Sequence, residues 1–184
     1  MESLKQLLSI LDEDSSVDSI ETTFSKIADI LLFKSYIKTT TGNFRILEIE
    51  FYFKNKYFED DVTLERTANE GMWWLHDWGV DISFKSVEKK FYGGVLIRSI
   101  LPLKDNNVQF NEKKVISGPR NCCWELFYAS ALESNMAPQI ITLSEDNIFD
   151  GEREETKRYI KGQTKRVNGD YRFYVKGLKI KKLS

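Results

Sequence analysis

One short segment of the chain carries side chains that could do chemistry. Residues 45–53 read RILEIEFYF and alternate with the period of two that is typical of a β-strand. The odd positions from Leu47 to Phe53 form an apolar face, and the even positions put Glu48, Glu50 and Tyr52 on the other. A carboxylate there can act as a base, and the tyrosine beside it can supply a stacking surface. A solvated sheet face has the same pattern, so this segment alone leaves both interpretations open.

A second unusual side chain is Arg98, which interrupts the apolar run GGVLIRSILPL of residues 93–103. A guanidinium in such a run must find a partner or lie at a surface. Arg98 therefore either lines a polar pocket or is a strand-edge arginine paired with Glu48 or another acid.

Apolar periodicity and capping residues predict the helices that position these strands. Leucines at helical spacing predict a helix over residues 2–12, and Asp18 with Glu21 resembles a capping box that begins a second helix. The sequence Ser-Gly-Pro predicts a third helix from residue 117 to about residue 134, since proline fits the first helical turn. Residues 152–160 are predicted to form a short charged helix.

Strand-like segments alternate irregularly with these helices. Strands are predicted over residues 33–40, 44–53, 71–84, 92–103 and 171–175, with a hairpin turn at Gly42-Asn43 and a polar loop over 54–70. This order predicts an α+β fold with a curved, mostly antiparallel sheet and flanking helices. We expect one domain over residues 1–184, in which residues 1–17 form an N-terminal helical extension.

Composition narrows the class of protein. The chain has 184 residues, 41% hydrophobic and 13% aromatic, which is enough for a substantial core. No apolar run approaches the ~20 residues that span a bilayer, and the N-terminus is acidic, so we expect a cytoplasmic monomer without membrane contact. Cys122 and Cys123 are adjacent and are interpreted as reduced core thiols; no metal site is expected.

Charge is distributed unevenly along the chain. The net charge is −1, but residues 151–184 carry +7 and residues 1–150 carry −8. The basic segment could follow phosphates, or it could be a solvated helix face and a charged final strand. A sequence pI near 6.0 does not favour tight non-specific DNA binding.

Several segments, in their order along the chain, resemble the alkyladenine DNA glycosylase family. The matching features are a helix ending in Leu-Leu, the LEIEFY strand, the VLIRSILPL strand, the Ser-Gly-Pro helix start and the RFYV strand. The resemblance covers residues 27–53, 93–133 and 164–178, and shared order rather than any single motif carries it.

The resemblance implies a monofunctional DNA glycosylase that flips an alkylated or deaminated purine from DNA and hydrolyses its N-glycosidic bond without a cofactor. In this alignment Glu50 activates water and Arg98, which lines the same pocket, positions the base or the sugar, so these two are the expected catalytic residues; Tyr52 stacks on the flipped base. Trp78 matches the aromatic wedge that fills the space left by the base, and Asp81 matches a base-binding asparagine. The basic C-terminal region supplies the implied phosphate contacts, for which we single out Lys165, Arg166 and Arg172.

The chain departs from the family pattern at two places. The family has a histidine about eleven residues after its glutamate, where this chain has Asp60 or Asp61, and the single histidine of the chain is His76. Where the family has an asparagine, Asp81 changes which hydrogen bonds the pocket can offer, because an ionised carboxylate accepts hydrogen bonds but cannot donate them. Two alternatives therefore stay open: a non-catalytic relative that binds a nucleobase, a nucleotide or a protein, and a hydrolase of free nucleosides.

Overall fold

A computed structural model describes residues 2–103, 114–128, 136–158 and 169–179 of the chain. The described helices are α1 (Leu4–Ser9), α2 (Val17–Phe33) and α3 (Pro119–Cys123), with a π-helical turn at Trp124–Tyr128 and a 3₁₀ turn at Glu145–Asn147. The strands are β1 (Ser35–Lys38), β2 (Asn43–Lys54), β3 (Trp73–His76), β4 (Gly79–Ser83), β5 (Tyr92–Leu103), β6 (Ile116–Ser117), β7 (Gln139–Thr142), β8 (Arg153–Thr156) and β9 (Arg172–Val175). The expected α+β class is confirmed.

The described strands form one antiparallel sheet that curls into a half-barrel. Its main path runs β3-β4-β5-β2-β1-β7, while β6 pairs with β5 and β8 pairs with β9. The central strand β2 pairs with β5 along one edge, and its other edge is shared between β1 and β9. Glu50 consequently lies opposite Leu96 of β5 and opposite Arg172 of β9.

The register of β2 and β5 is irregular near the charged residues. Ile46 faces Ile100, Glu48 faces Ser99 and Ile49 faces Ile97, with shifts on both sides of Glu48. A bulge of this kind bends a strand and redirects its side chains. Because of the shift, one guanidinium from β5 contacts two carboxylates of β2, as described below.

The apolar face of β2 packs under α2, as the alternation predicts. Phe24 of α2 stacks on Phe51 with ring centroids 4.3 Å apart and is fully buried. Phe84 and Tyr171 complete the aromatic cluster around Phe24. Such pairs are worth ~0.5–1.5 kcal/mol beyond their buried area. This cluster fixes β2, and with it the polar face on the other side.

The N-terminal segment is part of this core. Helix α1 is shorter than the predicted 2–12 helix, but Leu7, Leu8 and Leu11 are buried, and Lys85 N–H donates to the Leu8 carbonyl at 2.9 Å. Within the expected extension of residues 1–17, these three leucines belong to the apolar core.

Three helix predictions need correction. Ser16, not Asp18, caps α2, because its hydroxyl accepts from Ser19 N–H; the Ser3 and Gln6 side chains form a capping box at α1. The charged segment predicted as a helix over residues 152–160 contains strand β8, which pairs with β9. The helix predicted to about residue 134 ends as α3 at Cys123 and continues as a π-helical turn to Tyr128; residues 129–134 lie outside the described residues.

Both cysteines are free and buried. Burial raises the pKa of the Cys122 thiol well above its ordinary value, which agrees with a reduced core thiol. Across the described part of the chain, no helix is long and apolar enough to cross a membrane.

Candidate functional site

A buried charge cluster lies on the polar face of β2. Glu48 accepts hydrogen bonds from Arg172 Nε at 2.6 Å, from Ser99 Oγ at 2.5 Å and from Arg98 Nε at 3.2 Å. Glu50 Oε2 accepts from Arg98 Nη1 at 3.0 Å and from the Tyr52 hydroxyl at 2.7 Å. Buried carboxylates and guanidiniums are thus paired, as burial of charge requires.

Arg98 contacts both glutamates. Of the two roles considered for it, pairing with an acid and lining a polar pocket, it has both. It is paired with Glu48, as a strand-edge arginine would be, and it also lines a cavity. Burial by itself would lower the pKa of Arg98, but the carboxylates of Glu50 and Glu48 together raise it above its ordinary value. Its guanidinium is therefore a fixed positive group at the cavity wall.

Tyr52 connects the charge cluster to the cavity. Burial, together with the neighbouring Glu50 carboxylate, raises the pKa of Tyr52 well above its ordinary value. The phenol therefore keeps its proton and donates a hydrogen bond to Glu50. The guanidinium carbon of Arg158 lies 4.5 Å from the Tyr52 ring centroid and occupies one ring face. Arg158 Nη1 is itself anchored to Asp60 Oδ2 at 2.7 Å.

The cavity beside this cluster has a volume of about 770 Å³. Its wall includes residues from several elements: Tyr52 of β2, His76 of β3, Asp81 of β4, Leu96 and Arg98 of β5, and Gly118 to Asn121 at the start of α3, together with Val62, Leu64, Arg66 and Trp78. A mostly apolar cleft with a few convergent polar groups, within the ~300–1,000 Å³ range of ligand pockets, is the usual form of a small-molecule site.

Asp81 of β4 forms a second polar group of the cavity wall. Arg66 Nη2 donates to Asp81 Oδ2 at 2.8 Å, and His76 Nε2 lies 3.2 Å from Asp81 Oδ1. The Trp78 N–H donates to His76 Nδ1 at 3.3 Å, so the ring proton lies on Nε2, which donates a hydrogen bond to Asp81. Both carboxylate oxygens of Asp81 therefore already accept a hydrogen bond from the protein.

Trp78 stands at the edge of the cavity. Its side chain is 63% exposed, and the guanidinium carbon of Arg120 lies 5.3 Å from its ring centroid. Arg120 is held by a hydrogen bond from its Nε to the Asp77 carbonyl at 2.8 Å. The tight approach of Gly79, where an added Cβ would lie 2.8 Å from Pro119 Cβ, brings this turn against the start of α3.

Four residues singled out from the sequence meet at one cavity: Tyr52, Arg98, Asp81 and Trp78. Glu50 lies directly behind Tyr52 and Arg98, is 0% exposed and is not part of the cavity wall. Its Oε1 atom has no hydrogen-bond partner among the described residues, although Arg172 Nε lies 3.8 Å away. The carboxylate is therefore adjacent to the cavity but covered.

Among the expected phosphate contacts, Arg172 is described by the structure and does not line this cavity. Arg172 is 6% exposed, and its guanidinium is committed to Glu48, so its position does not suit contact with a surface phosphate. Lys165 and Arg166 lie outside the described residues.

Sequence reasoning missed two anchoring arginines and gave His76 little weight. Arg66 and Arg158 lie in segments without hydrophobic periodicity, and their partners Asp81 and Asp60 come from distant positions. The sequence places Arg66 and Asp60 in the predicted loop, Arg158 in the predicted charged helix and Asp81 in a predicted strand, and none of these patterns indicates which residues pair.

Comparison with known proteins identified no family. No protein-family model matches the chain, and no curated protein matches its sequence.

Proposed function

We propose that the chain is a DNA N-glycosylase that removes an altered purine from DNA after base flipping. The observation that carries this proposal is convergence: Tyr52, Arg98, Asp81 and Trp78 come from separate segments and line one cavity, with the Glu50 carboxylate immediately behind it. Stacking rings, polar groups and a carboxylate beside one cleft are the components that hydrolysis of a flipped nucleotide requires.

The cavity suits a flat ring with polar edges. Arg158 covers one face of the Tyr52 ring, and Tyr52 also lines the cavity, where a ligand ring can stack on it. Arg98 offers a positive group at the cavity wall, and Arg66 and His76 hold the Asp81 carboxylate in place in the same wall. In this proposal the base stacks on Tyr52, and Trp78 at the exposed edge fills the space that the base leaves in the DNA.

The proposed reaction is a simple hydrolysis. Water attacks the anomeric carbon and loses a proton to Glu50, the bond from that carbon to the base nitrogen breaks, and the base leaves with the bonding electrons. Arg98 holds Glu50 and stabilises negative charge near the cavity wall. No lysine nucleophile is involved, so neither a Schiff base nor strand cleavage is expected.

The covered position of Glu50 sets a condition on this mechanism. Water reaches its carboxylate only if ligand binding moves Tyr52 or Arg98, the two side chains that bond to Glu50 Oε2. When either side chain moves, Glu50 Oε2 loses a hydrogen bond and can accept one from that water instead.

The burial of Glu50 also favours a second candidate function. A carboxylate that is 0% exposed and already bonded to Tyr52 and Arg98 is equally suited to stiffening a pocket that binds a nucleobase without cleaving it. The two candidates share the cavity and differ in whether a bond is broken.

Base release from synthetic DNA separates them. Oligonucleotides carrying an alkylated, an etheno-bridged or a deaminated purine are incubated with the wild-type protein and with Glu50→Gln, and abasic sites are revealed by alkali. The glycosylase predicts release by the wild type and a loss of about 10²- to 10⁴-fold in the variant, the range for removal of a general base. Binding of altered bases without release by either protein would assign the pocket to recognition alone.

A further inference from the structure

A line of exposed aromatic rings leads away from the cavity along α3 and the turn that follows it. We define the aromatic strip as Trp78, Arg120, Trp124 and Tyr128. Trp124 and Tyr128 are 61% and 53% exposed, and their rings stack with centroids 4.9 Å apart and planes 16° from parallel. Exposed hydrophobic residues are ordinary when they are scattered, but a contiguous group at a cavity mouth indicates a binding surface.

The parts of the strip are joined by contacts. The Trp124 N–H donates to the Arg120 carbonyl, so these two side chains lie one helical turn apart on the same side of α3. Arg120 in turn lies against Trp78, and both line the cavity. The strip therefore runs without a break from the proposed base pocket to the outer surface.

Four arginines in or next to the cavity wall have little attraction left for phosphates. Arg66, Arg98, Arg158 and Arg172 are each paired with a buried carboxylate, so that Arg120 is the lining arginine without such a partner among the described residues. The whole chain has a net charge of −1. Because duplex binding depends on counterion release by free cations, the described part of the chain offers few of the groups around this cavity that a duplex requires.

We infer that the strip holds unpaired DNA, and that the substrate is a purine in a single-stranded or locally melted segment. This inference rests on the proposed function, since it assigns the strand context of the same pocket. Bases next to the flipped nucleotide stack on Trp78 and on the Trp124–Tyr128 pair, and Arg120 supplies a positive group between them. Stacking on aromatic rings contributes ~1–3 kcal/mol per base and does not depend on sequence.

The test measures binding and is independent of base release. Fluorescence anisotropy follows a labelled, undamaged single-stranded oligonucleotide and the matching duplex, using full-length wild-type, Trp124→Ala, Trp124→Phe and Tyr57→Ala proteins. Tyr57 is the matched control, because it is 56% exposed and lies outside the cavity wall. The wild type should bind the single strand more tightly than the duplex, with a weak dependence on salt.

The affinities of the variants decide whether the strip binds single-stranded DNA. Trp124→Ala should weaken single-strand binding by about 5- to 150-fold, the equivalent of one lost stacking contact. Trp124→Phe should recover most of that loss, and Tyr57→Ala should leave affinity unchanged. Preference for the duplex, or equal affinity of Trp124→Ala and wild type, would overturn the inference. So would a dimer that Trp124→Ala dissociates without any effect on DNA affinity, which would assign the strip to a second copy of the chain.

The outcome also separates this inference from the proposed function. Tight single-strand binding that depends on Trp124, combined with no base release from any oligonucleotide, would support the strip and refute the glycosylase. Base release that depends on Glu50 but is confined to duplex DNA would do the reverse.

Discussion

Glu48 and Glu50 provide an internal comparison between structural and catalytic carboxylates. They lie two residues apart on one strand, are both buried and both contact Arg98. Replacing each with glutamine makes the same chemical change. The geometry predicts that the two variants rank in opposite order for stability and for activity.

The contacts determine the stability ranking. Glu48 accepts from Ser99, from Arg98 and from two nitrogens of Arg172, so Glu48→Gln leaves one guanidinium largely uncompensated. Breaking a buried pair costs about 3–5 kcal/mol. Glu50 accepts two hydrogen bonds on a single oxygen, and glutamine keeps an acceptor there, so the expected loss is about 1.5–3 kcal/mol, the value of one hydrogen bond to a charged group.

Urea unfolding monitored by tryptophan fluorescence measures this difference. For a chain of this size 1 kcal/mol corresponds to about 2–4 °C in Tm, so thermal unfolding resolves the two variants as well. Glu48→Gln should be the less stable protein, and Glu50→Gln should retain the wild-type m-value. A Glu50→Gln variant that is as unstable as Glu48→Gln, or less stable, would refute this account of the charge cluster.

Three further outcomes are expected. The pKa of Tyr52 is raised in the folded state, so the folded protein holds a proton that the unfolded chain releases near pH 10. The contribution of Tyr52 to the free energy of unfolding is therefore complete below that pH and decreases above it. The alkaline decline in Tm should be shallower in Tyr52→Phe than in the wild type. Phe24→Ala should lower the free energy of unfolding by about 3–5 kcal/mol in urea titrations, and a loss below about 1 kcal/mol would contradict its central place in the core. Arg66→Met should lower the free energy of unfolding by about 3–5 kcal/mol, because it leaves the buried Asp81 carboxylate without its guanidinium partner. The double variant Arg66→Met, Asp81→Leu should recover part of that loss in the same titration.

The two long strands of the site, β2 and β5, could be predicted from the sequence, whereas residues 71–84, predicted as a strand, form the antiparallel pair β3 and β4. Alternation in residues 45–53 places Glu50 and Tyr52 on one face, and the isolated arginine in an apolar strand points to a buried acid as its partner. These signals are local, since they follow from side-chain period and from the cost of burying charge. The structure brings Arg98 to both glutamates because of the irregular register between β2 and β5, which no local pattern encodes.

The parts that could not be predicted depend on distant contacts. Strand β8 has the composition of a charged helix, and it is a strand because β9 offers its edge and because Arg153 packs over Phe173. The capping error at α2 has a different cause: Ser16 and Asp18 are both good caps, and the sequence does not rank them. Arg66 was missed because its partner is set by the fold of β4, fifteen residues along the chain.

The most direct test of the central claim is the single-turnover rate of base release by Glu50→Gln and Glu48→Gln on the altered purine that the wild type removes best. If Glu50 activates water, Glu50→Gln should lose about 10²- to 10⁴-fold in rate, even though it is the more stable variant. Glu48→Gln, compared at a temperature where both are folded, should lose less than about tenfold, since its carboxylate acts through Arg98. Equal losses in the two variants, or no release by the wild type, would contradict the assignment of Glu50 as the catalytic base.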